Sequence, residues 1–357
     1  MHDAAPPPAP FPRTPAAEAL STAPASTALQ PDQRFIAADV GGTHARLGVV
    51  RMTAAGHVAI DDFHQYACAG YPSLAAIVRD FIARTGVAAG HAVIAIAGRL
   101  DGDVLVNSNL PWPVALAQTQ REAGVGQLAL MNDFEAVACA MPFIEPAAMT
   151  RVCGPERAAT GPAVVLGPGT GLGAAVRLPG PPAQVLSSEA GHAALAVGNA
   201  REMALLQQLL QRWPHVDSER VLSGPGLVNT YRALCELDGV PVLLDDPAQI
   251  TAAAQAGRDA RADEALQIFC GLLGSLAGDL ALTFGASAIY LAGGIPAQIK
   301  PQLLQGVFAA RFVNKGVLAP VVAQVPVWLV EHGQLGLIGA AAWYQQRERE
   351  LHRHAAH

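Results

Sequence analysis

The sequence predicts an α/β protein made of two layered halves. Three observations carry this. From Arg34 onward, short apolar runs of strand character alternate with segments of helical periodicity, the pattern that stacks helices on sheets. A unit of strand, glycine-rich turn and strand occurs twice. The 357 residues are 51% hydrophobic and only 15% charged, with mean hydropathy +0.28, which is core enough for about two domains.

Residues 1–31 are rich in Pro, Ala, Ser and Thr and have no apolar central region of the secretory-leader kind. They are expected to be a disordered tail without a catalytic role. Strands are predicted near 35–40, 46–51, 92–97 and 128–131. The segment 73–84 places Leu74, Ile77, Val78, Phe81 and Ile82 on one side of a helix. Asn132–Ala140 reads as a strand-to-helix junction. Glu145-Pro146, Gly154-Pro155 and Gly161-Pro162 make a turn-rich stretch, so a boundary is placed near residue 145.

The second half opens again with strand, glycine turn, strand. Helices follow at about 199–212 and 225–237. Asp259–Phe284 reads as one long or broken helix, with Gly271, Gly274 and Gly278 spaced for close packing. Strands at 288–291 and 325–330 precede a terminal helix at about 336–348. The expected division is 34–144 plus about 334–350 in a smaller domain and 145–333 in a larger one. No run of ~18 uncharged apolar residues suggests a membrane span.

Charge and cysteine usage exclude several classes. The net charge is −6, with no basic run, so a nucleic-acid partner has no electrostatic support. Five cysteines are scattered, without a C-x-x-C pair, which argues against a zinc knuckle or disulfide framework and for reduced cytoplasmic thiols.

The two turns are Asp39-Val40-Gly41-Gly42-Thr43-His44-Ala45-Arg46 and Gly167-Pro168-Gly169-Thr170-Gly171-Leu172-Gly173. Backbone N–H groups in such turns form anion-binding concavities, and glycine admits a phosphate without a Cβ clash. One copy alone would be ordinary hairpin geometry. Two suggest duplicated halves closing on one nucleotide, with Thr43 and Thr170 offering hydroxyls. Asp39 can position Mg²⁺, directly or through water. Neither turn matches the P-loop, and the second is followed by a strand, unlike a dinucleotide fingerprint.

Asp133, after the apolar strand Ala129–Asn132, can accept a proton from an attacking hydroxyl. Asn132 and Asp133 suit a helix N-cap equally. Glu189 and His192 form a polar cluster in a glycine-containing turn that suits a small polar ligand or a solvated loop. Glu219, read alone, is a first-turn helix residue. Asn107 and Asn109 beside Trp112 have a sugar-contacting composition, or make an ordinary Asn-rich turn with Trp112 as a core anchor. Gly293-Gly294 closes a strand where a base or ribose can approach.

Together these motifs resemble the bacterial ATP-dependent glucokinase family, within the actin/hexokinase ATPase superfamily, over about 34–348. The resemblance rests on Asp39–Arg46 (with His44 where Asn is usual), Gly167–Gly173, Asn132-Asp133-Phe134, Glu189–His192, Asp217–Leu227 (Asp217 where Ser is usual) and Ala292–Ile295, in the family's order. It implies a two-domain ribonuclease-H-like/actin-like ATPase fold with a cleft between a small and a large domain. It also implies glucose phosphorylation by Mg-ATP, with Asp133 as base for the 6-hydroxyl. Asn109, Asn132, Glu189, His192 and Glu219 would bind sugar. Asp39, Gly41, Gly42, Thr43, Gly167, Gly169, Thr170, Gly171, Gly293 and Gly294 would bind nucleotide and metal. A cytoplasmic homodimer is implied as well. Ser188 and Ala190 stand where Gly is usual, and Arg99 where a small turn residue is usual. The alternatives are a different hexose preference or a sugar sensor with little turnover. A Cys-rich zinc run is absent after His192, and 1–31 is too short and Pro-rich for a helix-turn-helix.

Overall fold

A computed structural model describes residues 32–53, 55–88, 90–106 and 110–355, apart from the side chains of Arg99 and 351–355. The tail 1–31 and Asn107, Ser108 and Asn109 lie outside the described residues.

In the first half, β1 (Phe35–Val40), β2 (His44–Met52) and β3 (Val58–Ala67) run antiparallel in succession. The helix α1 (Leu74–Thr85) then returns the chain to β4 (His91–Ile96), parallel to β1. A small hairpin, β5 (Arg99–Asp101) and β6 (Val104–Val106), and α2 (Leu116–Ala123) follow. Next comes β7 (Gln127–Asn132), parallel to β4, and α3 (Asp133–Ala140) leaves directly from its end. The sheet order is β3-β2-β1-β4-β7.

The second half begins with β8 (Met149–Cys153), an edge strand. It repeats the scheme with β9 (Ala163–Pro168), β10 (Leu172–Leu178) and β11 (Gln184–Ser188). Helices α4 (Ala200–Leu210), α5 (Gly224–Leu237), α6 (Pro247–Gln255) and α7 (Ala260–Phe284) lead to β12 (Ala288–Leu291), parallel to β9. Short helices α8 (Gly294–Gln298), α9 (Lys300–Leu304), α10 (Val307–Val313) and α11 (Ala319–Val322) precede β13 (Val327–Val330), parallel to β12. The terminal helix is α12 (Leu335–Ala355). The order β11-β10-β9-β12-β13-β8 matches the first sheet strand for strand once β8 is set aside.

Local chemistry fixes these elements. α1 starts where Ser73 Oγ accepts from Ala76 N–H and ends at Gly86, whose φ of 65° few other residues tolerate. Its buried face is Leu74, Ile77, Val78 and Phe81, each side chain worth about 1.5–3 kcal/mol when fully buried. α7 is unbroken. Gly274 and Gly278 press against the carbonyls of Phe308 and Phe312 in α10, leaving no room for a side chain. With an average hydropathy of 1.6 over its most apolar window, α7 is long and apolar enough to cross a membrane. The helix carries Asp263, Glu264 and Asp279, so it holds no run of ~18 uncharged residues. It is largely buried in the core of the second half, where its Leu266, Phe269 and Leu273 join the cluster that holds Phe308 of α10.

α12 packs against β1, β2, β4 and α3. Its Gly339 meets the backbone of Ala136 with no space for a Cβ. A separate apolar cluster joins Ala138 and Ala140 of α3 and Leu335 and Ile338 of α12 to Val165, Ala175 and Val330 of the second sheet. The α3–α12 pair is therefore clamped between the two sheets. β3, β8, β11, α2 and α6 carry no clear sequence signal. β3 is mostly exposed, with Asp61, Asp62 and His64 in its middle, so its pairing with β2 makes it a strand.

Candidate active site

Asp133 is the first residue of α3, at the carboxyl end of β7. The capping role falls to Asn132, whose Oδ1 accepts from the N–H groups of Phe134 (2.9 Å) and Glu135 (3.1 Å). Asp133 is thereby released from cap duty, although its own Oδ1 also accepts from Phe134 N–H at 2.9 Å. Burial pushes its carboxyl up to about 6; the Phe134 hydrogen bond opposes this, and the negative fields of Asp39 and Glu189 add to it. Asp39, Asp133 and Glu189, from both glycine-turn halves, thus converge on one place.

Beside them lies a 430 Å³ cleft lined by Gly98, Leu100, Asn132, Glu135, Ser187 and Glu189, of a size that holds a small polar molecule. Ser187 Oγ donates to Glu135 Oε2 at 3.4 Å, linking β11 to α3 across it. Asn109 is outside the described residues. Trp112 is a core residue of the first half, packed near Leu105, Val114 and Ile96.

Phe134 joins this cleft to the second glycine turn. A Cβ on Gly167 or Gly173 would run into the Phe134 ring. On Gly171 it would come within 2.6 Å of the Glu219 carboxylate. That carboxylate accepts from Leu172 N–H at 2.8 Å, so Glu219 is tied to the turn itself, from the 3-10 turn Ser218–Arg220. Gly169, at the tip, has nothing within 4 Å of its would-be Cβ. Its carbonyl accepts from Gly224 N–H at 2.8 Å, bringing the start of α5 to the turn. Gly293, with φ 97°, lies against the Pro168 carbonyl, and Gly294 faces open space. Gly169–Gly171 and Gly293-Gly294 are therefore neighbouring accessible backbone, with Gly167 and Gly224 buried behind them. Glycine at 169 and 294 has neither a packing neighbour nor a positive φ to explain it, which fits a group approaching the backbone from outside.

In the first turn, Gly41, Gly42 and Thr43 are exposed. Gly41 N–H donates to the His44 carbonyl (3.0 Å) and Cys68 N–H to that of Thr43 (2.9 Å). Asp39 is paired with Arg46 across the hairpin at 3.4 Å and sits directly over Gly336 of α12, where a Cβ would lie 2.5 Å from its Cγ. Burial pushes its carboxyl up, and Arg46 opposes that shift. Among the described residues no three His, Cys, Asp or Glu side chains gather to hold a metal. A magnesium ion at Asp39 would take its remaining oxygens from nucleotide phosphates and water.

Glu189 precedes the short turn Ala190–His192, and His192 is its last residue. Gly191 is pressed against the Leu172 carbonyl. His192 Nδ1 is 3.4 Å from Asp217 Oδ2. Reading along the chain finds neither Phe134 as the filler of two glycines nor Asp217 as the partner of His192, because both depend on segments far apart in sequence.

Two matched sheets of this order, with glycine turns and a carboxylate between them, define an actin-like two-domain ATPase fold. Comparison with known proteins agrees. The glucokinase family model matches residues 36–347. A glucokinase-like protein of Xylella fastidiosa is 46% identical over 88% of this chain and 95% of its own length. A glucokinase of Chromobacterium violaceum is 39% identical over 85% of this chain and 87% of its own length. The crystal structure of a glucokinase from an Antarctic psychrotroph superposes with TM-score 0.77 at 33% identity, covering 88% of this chain and 99% of that one. The chain belongs to the glucokinase family and is a sugar-phosphorylating enzyme.

Proposed function

We propose that the enzyme transfers the terminal phosphoryl group of Mg-ATP to the 6-hydroxyl of glucose, in a cleft between a lobe of residues 34–144 with about 334–350 and a lobe of residues 145–333. The observation that carries this is Asp133. It is a carboxyl raised to about 6 by burial, beside a cleft of sugar size and locked through Phe134 to a glycine turn open at its tip. The names of the relatives support glucose as the sugar. Ionised Asp133 accepts the hydroxyl proton as the sugar oxygen attacks the phosphorus, and ADP departs. Asn132, Glu189, His192 and Glu219 hold the other hydroxyls. The exposed backbone of the two turns, with Thr43 and Thr170, holds the phosphates, and Asp39 holds the magnesium. That ion, when bound, neutralises charge developing on the transferred group.

The test is a coupled assay for ADP and sugar phosphate, run with Mg-ATP against glucose, mannose, fructose, galactose and N-acetylglucosamine. Glucose is expected to turn over best. Asp133→Asn is expected to lower kcat by roughly 10²–10⁴ while leaving glucose binding within a few-fold. Near-normal turnover of Asp133→Asn would remove the base assignment. Glucose binding by calorimetry without turnover in the parent would replace catalysis with sensing.

A further inference from the structure

The turn that carries Glu189 and His192 is docked on the segment that carries Asp217. Ser218 N–H donates to the Ala193 carbonyl at 2.9 Å, and Leu195 N–H to that of Val216 at 3.0 Å. His215 Nε2–H donates to the His192 carbonyl at 3.1 Å. The backbone of His192 is fixed in this way, but a ring needs its own partner.

Asp217 supplies one. Its side chain is only 12% exposed, against 59% for that of His192. Its Oδ1 accepts from Arg220 N–H at 2.9 Å and caps the 3-10 turn. Its Oδ2 faces His192 Nδ1 at 3.4 Å. An ionised carboxylate only accepts, so the facing ring nitrogen is the donor. In the neutral imidazole this leaves Nε2 as an unprotonated acceptor, on a ring whose exposed side is open.

We propose that Asp217 is a positioning residue for sugar binding. It holds His192 in the Nδ1–H tautomer, so that Nε2 accepts a hydrogen bond from a sugar hydroxyl. The proposal rests on the reading of His192 as a sugar ligand. With Glu189 also an acceptor, the turn then presents two acceptors and no side-chain donor, which suits a polyol donating from neighbouring hydroxyls. Asp217 stands where the resembled family usually has Ser. A Ser there can keep the cap on Arg220, but it has no second oxygen for the ring.

The test compares the parent, Asp217→Ser, Asp217→Asn, His192→Ala and the double variant Asp217→Ser/His192→Ala. Measurements are glucose KM and kcat at saturating Mg-ATP, melting temperature, and ¹⁵N shifts of the histidine rings. Asp217→Ser is expected to raise glucose KM about tenfold with kcat within about twofold, as loss of one charge-assisted hydrogen bond predicts. Melting should be unchanged, because the cap survives. Asp217→Asn, which keeps an acceptor for Nδ1–H, should recover most of the affinity. In the His192→Ala background, Asp217→Ser should add nothing. The ¹⁵N spectrum of the parent should show Nδ1 protonated. An equal KM effect with and without His192, or an Nε2–H tautomer in the parent, would overturn the proposal and leave Asp217 a structural cap. If His192→Ala alone leaves glucose KM unchanged, the failure lies in the sugar-ligand reading, and the proposal falls with it.

Discussion

The two glycine hairpins, β1–β2 and β9–β10, have the same topology and nearly the same composition, yet their glycines exist for different reasons. In the first turn, a Cβ on Gly41 would meet only the His44 carbonyl at 3.8 Å. A carboxylate, Asp39, sits beneath that turn, paired with Arg46. In the second, Gly167 and Gly173 are filled by the Phe134 ring and Gly171 by the Glu219 carboxylate; only Gly169 at the tip faces open space. The first hairpin is a carboxylate mount under bare backbone. The second is an assembled joint that ties the turn to α3 through Phe134 and to the Ser218–Arg220 turn through Glu219. A glycine pattern therefore reports space without saying what fills it.

Several measurements can break or sharpen that contrast. The largest expected effect belongs to the first hairpin. Asp39→Asn should lower kcat by roughly 10²–10³, as expected when a group that stabilises developing charge is removed, and should raise the magnesium concentration needed for half-maximal rate. A normal magnesium titration would mean that Asp39 serves the fold instead.

In the second hairpin, Gly173→Ala should destabilise by about 1–3 kcal/mol, the usual cost of overpacking, and should lower kcat by displacing Phe134 and with it Asp133. Gly169→Ala should leave stability within ±0.5 kcal/mol, as for a surface change, while raising KM for ATP. Urea unfolding together with ATP kinetics separates the two. If both variants lose stability equally, the division between a packed joint and an open tip is wrong.

The pH dependence follows from Asp133. Its raised carboxyl must be ionised to act, so log(kcat/KM) should fall as pH drops below about 6. The stability sign is opposite. A carboxyl that titrates higher when folded favours the protonated native state, so this group's contribution weakens as pH rises from about 4 to about 6. Asp133→Asn should accordingly melt higher than the parent at pH 7.5 and alike at pH 4. The smallest effect is His44→Asn. The first turn is held by backbone bonds at Gly41 and Thr43, so at most a few-fold change in KM for ATP is expected, about 1 kcal/mol or less.

Much of the candidate site was legible before folding because single segments carry it. Asp133 stands at the end of an apolar strand, and the glycine turns punctuate two strand pairs. That repetition announces two matching halves, and the strand order within each sheet is decided by pairing in the structure. What was not legible are the edges. β3 and β8 are strands by virtue of partners, and their own residues alternate too weakly to declare it.

By itself, the sequence determined the α/β class, the duplicated strand–turn–strand halves and the carboxylate at the β7–α3 junction. Each of these is encoded within a few residues by periodicity, glycine and charge. Only the tertiary structure decided that Phe134 fills Gly167 and Gly173, that Glu219 holds Leu172, and that Asp217 faces His192. Those pairs join segments dozens of residues apart. The Phe134 contact exists only once α3 has docked on the second sheet, and the other two only once the second half has folded, because side-chain packing and hydrogen bonding act over a few ångströms and leave no periodic trace along the chain.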